Sequence, residues 1–234
     1  MNKHEKTAWG MSPIFLIISA GIFIGLLFFP AFPVQADPLS LEALVLKTQE
    51  RYEKTENLKA RFIQEVTIKA MKKSEREEGV VYVKHPRRML WHYVKPTTKK
   101  LIINPQKAWL YVPGDRVVYV QNAEEVFKSK LAVKFLSGLG KLNEDFNVEF
   151  SSGGPVDEKN NYLVTLIPKE SDFGVDRLFL IIDKDTFLII QCSFSDIYGN
   201  MTRIRFMDIK TNTTLPDHLF TFKPPKGVEV FNLP

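Results

Sequence analysis

Short runs in which apolar and polar residues alternate recur through most of this chain, each stopped by a turn signal. Phe62, Gln64, Val66, Ile68 and Ala70 alternate with Ile63, Glu65, Thr67 and Lys69. A period of two sends the two sets to opposite faces of a β-strand. Val80–Val83, Met89–Val94, Lys99–Ile103, Ala108–Val112 and Val117–Gln121 follow. His85-Pro86, Lys95-Pro96, Asn104-Pro105 and Pro113-Gly114-Asp115 separate them. Proline has no N–H to give to a ladder, so these dipeptides end strands. The polar stretch Lys72–Glu78 reads as a turn. Strands resume at Phe146–Phe150, Tyr162–Pro168, Arg177–Asp183, Phe187–Phe194 and Thr202–Ile209. So many short strands, about 10–11, predict a mainly β fold, an antiparallel sheet curled into a barrel or half-barrel.

Two helical segments interrupt this pattern. Ser40 can cap a helix running to about Thr55, with Leu41, Leu44, Val45, Thr48 and Tyr52 on one side. Glu42, Lys47, Glu50, Arg51 and Lys54 fill the other side. Ala123–Gly138 has no strand turns and carries Val126, Phe127, Leu131, Val133, Phe135 and Leu136, so it reads as one helix or two short ones. Tyr162–Ile167, Leu178–Ile182 and Leu188–Ile190 are apolar on both faces, and the chain holds 18 phenylalanines. Two arrangements satisfy this pattern. One is a thick core with both sheet faces covered. The other is a curled sheet whose inner face lines an apolar cavity under a lid made of the two helical segments.

The N-terminus is of another kind. Lys3, His4 and Lys6 precede a nearly continuous apolar run from Ile14 to Phe29; Pro30 and Pro33 close it, and Val34-Gln35-Ala36 follows. This is the order of a secretory signal, with cleavage expected after Ala36. Sixteen apolar residues fall short of the roughly 20 that a spanning helix needs. The 234-residue chain has 32 basic and 27 acidic residues; residues 1–36 hold two lysines and one glutamate, so residues 37–234 keep a net charge of +4. Those 198 residues fit a single soluble domain. Cys192 is the only cysteine, so no internal disulfide is expected, and its apolar surroundings suggest a small buried residue. No cysteine follows Ala36 to accept a lipid anchor. The processed protein is expected to be periplasmic, untethered and monomeric.

Catalytic patterns are not found. His85, His92 and His218 have no metal-ligand spacing with one another or with Cys192. Phe135-Leu136-Ser137-Gly138 lacks the first glycine of a nucleophile elbow. Gly138-Leu139-Gly140 lacks the rest of a dinucleotide fingerprint. Glu77-Glu78 and Glu124-Glu125 read as solvated surface. Neither an enzyme nor a cofactor is expected. Lys84–Lys100 interleaves basic residues with Met89, Trp91 and Tyr93. Nucleic acid is not expected in an exported compartment, so this stretch reads as a rim for acidic partners or lipid head groups.

Three segments in order carry a resemblance. Leu58-Lys59-Ala60-Arg61-Phe62-Ile63-Gln64-Glu65-Val66 follows the first helix. Gly79–His85, Pro86-Arg87-Arg88 and Met89-Leu90-Trp91 form strand, proline turn and strand. Phe220-Thr221-Phe222-Lys223-Pro224-Pro225-Lys226-Gly227-Val228-Glu229-Val230 closes the series. Together they resemble the LolA family, periplasmic carriers of outer-membrane lipoproteins. The resemblance implies an incomplete barrel with a helical lid over an apolar cavity. It also implies a chaperone that accepts acylated lipoproteins from an inner-membrane ABC transporter (LolCDE-like) and delivers them to an outer-membrane acceptor (LolB-like). Each exposed CH₂ of an acyl chain costs about 0.8 kcal/mol in water, so such cargo needs a closed apolar container.

The family places an arginine that latches the lid where this chain has His85, so the latch is expected at His85, Arg87 or Arg88. Met89 falls near the expected cavity mouth, and Trp91 matches a family tryptophan. Leu44, Val45, Phe62, Val126 and Phe127 are expected to contact acyl chains, together with Leu131, Phe135 and Leu136. A periplasmic sensor with a related lipid-binding half-barrel is the alternative. A membrane-anchored acceptor would need the lipidated cysteine that the sequence lacks after Ala36.

Overall fold

The computed structural model describes residues 39–129, 142–169 and 175–233. The expected signal at 1–36 lies outside them, as does most of the expected helical segment beyond Ser129. Helix α1 (Leu41–Glu53) leads into β1 (Asn57–Ile68), β2 (Lys73–Lys84), β3 (Arg88–Lys95), β4 (Lys99–Ile103), β5 (Lys107–Val112) and β6 (Val117–Asn122). Helices α2 (Ala123–Ser129) and α3 (Leu142–Asp145) precede β7 (Phe146–Phe150), β8 (Tyr162–Pro168), β9 (Val175–Ile182), β10 (Ile189–Asp196) and β11 (Met201–Thr211). Strand β12 (Glu229–Asn232) comes last.

All twelve strands join one open sheet in the order β12-β6-β5-β4-β3-β2-β1-β11-β10-β9-β8-β7. The fold is mainly β with few helices, and the sheet does not close, because β12 and β7 are its two edges. The expectation of a wholly antiparallel sheet is corrected at one edge. Strand β12 runs parallel to β6, with Glu229 opposite Val117 and Asn232 opposite Val120. Tyr119 and Phe231 stack there at 5.6 Å.

The expected turn over Lys72–Glu78 is also corrected. Lys73–Lys84 pairs without interruption with Asn57–Ile68, so the polar half of this stretch is strand. Polar cross-strand contacts replace apolar alternation here. Thr67 and Ser74 hydroxyls lie 3.0 Å apart, and Glu77 pairs with Lys99 at 2.6 Å. Glu77 and Glu78 therefore belong to ion pairs on the sheet, not to the solvated surface that was expected.

Alternation sorts the sheet's two faces. On one, Phe62, Val81, Val83, Met89, Trp91, Leu166, Leu178 and Leu180 join Leu44, Val45 and Tyr52 of α1 in a single buried cluster. Ser40 caps the helix by accepting from the Ala43 N–H. At the other end the Ile189 N–H donates to the Tyr52 hydroxyl at 3.1 Å, and Arg51 Nη2 donates to Thr211 Oγ1 at 2.9 Å. On the opposite face Leu90 and Ile102 pack under Leu215 and Phe220 of the C-terminal segment. Lys84 Nζ holds that segment by donating to Leu215 O and to Asp217 Oδ1.

Gly79 shows how tightly β1, β2 and β3 meet. A Cβ there would stand 2.2 Å from the His92 carbonyl oxygen and 2.8 Å from the Phe62 ring. Backbone and a buried ring cannot both retreat. Gly79→Ala is therefore expected to destabilise the fold by about 1–3 kcal/mol, the usual cost of overpacking. Urea unfolding at unchanged slope measures it.

Burial also sets an alkaline limit. It pushes Tyr52 from its ordinary 10.0 up to about 12 and Cys192 from 9.0 up to about 12. The folded state thus favours both neutral forms. That contribution is complete below about pH 9 and is lost as pH rises towards 12, where the folded groups ionise too. Melting temperatures followed from pH 8 to pH 12 should fall, and Tyr52→Phe should flatten the upper part of the fall.

Candidate functional site

Leu44, Val45, Phe62, Met89, Trp91 and Val126 come from α1, β1, β3 and α2, yet they meet in one buried cluster. The expected acyl-contact positions that can be described are therefore on one face. Among the described residues, these side chains pack against one another. Phe62 is the hub, with its ring edge-on to Trp91 at 4.9 Å and to Tyr93 at 5.0 Å. Trp91 reaches Phe206 at 6.2 Å. Met89, expected at a mouth, is 0% exposed. It stands opposite Val83 on β2 and Ile103 on β4, so two neighbouring strands and the cluster enclose it. Leu131, Phe135 and Leu136, and the side chain of Phe127, lie outside the described residues.

Among the described residues, a groove of about 760 Å³ lies on the other side of the sheet, lined by Ile63, Leu163, Ile181, Arg205 and Met207 and by Gly153 and Val156–Lys159. Ile63 pairs with Arg205 and Leu163 with Ile181, each one residue out of phase with the buried set.

Among the described residues, two polar atoms inside the packed face have no hydrogen-bond partner: Thr48 Oγ1 on α1 and Trp91 Nε1 on β3. Burying such a group unpaired costs about 1–3 kcal/mol. More than nine in ten buried backbone groups, and most buried side-chain polar atoms, avoid that cost. The packed face thus leaves Thr48 Oγ1 and Trp91 Nε1 unsatisfied, while Arg51 Nη2 and the Tyr52 hydroxyl pair with Thr211 and Ile189.

The three expected latch residues go to three different places. The His85 N–H donates to Glu56 O at 2.9 Å, tying the β2–β3 turn to the α1–β1 connection. Arg87, in a left-handed conformation with φ 56°, donates through Nη2 to Glu124 Oε2 on α2. Arg88 opens β3 on the outer side. Its charge adds to the Lys84 hydrogen bond and charge, which hold the Asp217 carboxyl below its ordinary range. Glu124 is the partner that sequence reasoning missed, having placed it on solvated surface. It belongs to the first turn of α2, whose start is fixed as the Glu124 N–H donates to Asn122 Oδ1 at 2.9 Å. An Asn-Ala-Glu capping start was the available signal.

A family model described as "Outer membrane lipoprotein carrier protein LolA" matches residues 53–223. A protein of Legionella pneumophila (strain Corby) named outer-membrane lipoprotein carrier protein is 31% identical over 183 residues, 78% of this chain and 86% of its own. A protein of the same name from Methylococcus capsulatus is 29% identical over 153 residues, 65% of this chain and 70% of its own. Among solved structures, an uncharacterized conserved protein from Thermus thermophilus is similar in fold. Its TM-score is 0.53 at 12% identity, over 83% of this chain and 100% of that one.

The unpaired hydroxyl supplies a test of the closed packing. Thr48→Val keeps the shape and removes the orphaned group, so stability should rise by about 1 kcal/mol. Chemical denaturation reads this, and a loss of stability would mean that the hydroxyl is paired.

Proposed function

Because the chain belongs to the LolA family of outer membrane lipoprotein carriers, we propose that it is a periplasmic chaperone for acylated lipoproteins, working without catalysis. It takes them as an inner-membrane ABC transporter releases them, shields their acyl chains, and yields them to an outer-membrane acceptor.

The observation that carries this reading is the apolar face beneath α1. It is one cluster, covered among the described residues by α1, Val126 of α2 and Leu142 of α3, and it leaves Thr48 and Trp91 unsatisfied. Acyl chains entering this face would replace the helix side chains one for one, at about 0.8 kcal/mol per CH₂ buried. Among the described residues, the hydrogen bonds from α1 to the sheet come from Arg51 and Tyr52, at its last turn. The rest of the helix is held by apolar packing and by Lys47 over the Phe187 ring. Such a helix swings about its C-terminal end. The clasp between Arg87 and Glu124 restrains α2 and is half-exposed on the Glu124 side. An ion pair of this kind contributes about 0–1 kcal/mol, weak enough to open without an energy source.

Release of radiolabelled lipoprotein from spheroplasts by the processed protein tests the carrier role; no release overturns it. The clasp has its own test. Glu124→Gln should speed uptake of an apolar fluorophore about two- to fivefold, the kinetic equivalent of a surface ion pair. Stopped-flow fluorescence gives the rate, and an unchanged rate would remove the pair of Arg87 and Glu124 from the gating step.

A further inference from the structure

We propose that the hairpin tips at one end of the sheet form a docking surface for an anionic lipid bilayer. This inference goes beyond the carrier reading and takes from it only its purpose, since a carrier working between membranes has reason to touch one.

Three side chains break the usual pattern of burial there. Met71, at the tip of the β1–β2 hairpin, is 66% exposed, and Ile197 and Tyr198, at the tip of the β10–β11 hairpin, are 74% and 78% exposed. Strand pairing makes these tips project. Strand β3 stops pairing with β2 at Glu78, so Lys73–Glu77 extend beyond it, with β1 as their strand partner. The two hairpins are neighbours because β1 pairs with β11 up to Thr67 and Met201. The Lys69 N–H crosses between them to Asn200 Oδ1 at 3.1 Å.

The second tip is held in shape. Asp196 accepts from the N–H groups of Tyr198 and Asn200 and from Asn200 Nδ2. A turn braced in this way presents Ile197 and Tyr198 outward at little entropic cost on binding. Cations surround the apolar tips. Residues 69–76 and 195–203 hold five basic side chains, Lys69, Lys72, Lys73, Arg76 and Arg203, against two acidic ones, Glu75 and Asp196. Lys73 pairs with Glu75, and Arg76 and Arg203 engage Glu65. Among the described residues Lys69 and Lys72 make no ion pair.

An apolar wedge of Ile, Tyr and Met with free lysines just behind it matches the layering of a membrane interface. Tyrosine favours the head-group level, lysine stems snorkel towards phosphates, and each lysine near an anionic surface adds attraction that salt weakens. Three apolar side chains and two free lysines make a weak and reversible anchor, which suits a carrier that must leave.

The test uses the processed chain, its N-terminus checked by mass spectrometry, floated with vesicles free of any lipoprotein. Vesicles of phosphatidylethanolamine and phosphatidylglycerol should carry the protein up at low salt, and pure phosphatidylcholine vesicles should carry much less. Ile197→Glu combined with Tyr198→Ser, and separately Lys69→Glu with Lys72→Glu, should each weaken flotation by about tenfold while the melting temperature stays unchanged. In a Tyr198→Trp variant, the indole emission should shift to the blue on anionic vesicles. Equal binding to both vesicle types, or flotation indifferent to the tip substitutions, would overturn the proposal. So would an indole emission that vesicles leave unmoved, as would be seen if these tips met a protein surface instead. Uptake of an acylated peptide by the same variants is read separately. Loss of uptake with flotation intact would count against the carrier reading and leave this one standing.

Discussion

The constraint on which the rest depends is the apolar face that α1 shares with the sheet. A sheet in which Phe62, Val81, Met89, Trp91, Leu166 and Leu178 all point one way cannot leave that side to water. A second sheet would cover it permanently. Among the described residues, helix α1 covers it beside Val126 of α2 and Leu142 of α3, and most of the hold of α1 is non-directional packing. The directional bonds between α1 and the sheet gather at Arg51 and Tyr52, which is where the lid of the proposed carrier would hinge. The other face is closed differently. There Leu215, Phe220 and the edge strand β12 are fastened by backbone pairing and by the Lys84 hydrogen bonds. The molecule therefore has one face sealed in part by ladder bonds and one sealed by packing.

Much of this was legible in the sequence, for identifiable reasons. Strands such as β1 and β6 have one wet and one dry face over much of their length, and period-two alternation reports that directly. Helix α1 showed its apolar stripe and its Ser40 cap. Three features were not legible. Lys73–Glu77 forms a strand that is wet on both faces, so alternation had nothing to report and charge imitated a turn. Strand β12 is four exposed residues at an edge, and its parallel pairing depends on where the C-terminal segment passes and not on its own pattern. Glu124 as the partner of Arg87 joins residues 37 apart across a turn and a helix start, a pairing that composition does not encode. Among the site residues, Leu44, Phe62 and Trp91 were identifiable because apolar residues at strand or helix period point inward. Whether they line a space or fill it is a property of the packed state, which period alone does not report.

The unsatisfied Thr48 and Trp91 atoms bear on why the closed state does not become a trap. If every polar group under α1 were paired, opening would lose hydrogen bonds as well as apolar contacts. With two orphans at about 1–3 kcal/mol each, water or a lipid carbonyl reaching them on opening returns some of what the apolar contacts lose. The clasp of Arg87 and Glu124, worth about 0–1 kcal/mol, adds little to that balance. In the proposed carrier, opening of α1 would thus be governed mainly by apolar area, the same quantity that acyl cargo supplies, so exchange between helix and acyl chain would be close to neutral.

The placement of the polar devices along the strands follows from this. The clasp turn at His85–Arg87 adjoins the start of β1, where Asn57 pairs with Lys84. The projecting tips adjoin the far end of β1, where Ile68 pairs with Lys73. A twelve-residue strand rising about 3.3 Å per residue separates the two ends by roughly 40 Å. A bilayer touching Met71, Ile197 and Tyr198 would leave the clasp well outside the head-group layer, and beyond the reach of its surface charge, which decays within about 10 Å. On the proposed reading, contact with a membrane would therefore not unlock a lid by electrostatics. Opening would be driven at the clasp end by the acyl chains themselves or by a protein that engages Arg87 or Glu124. A carrier built this way would rest on a membrane and keep its load.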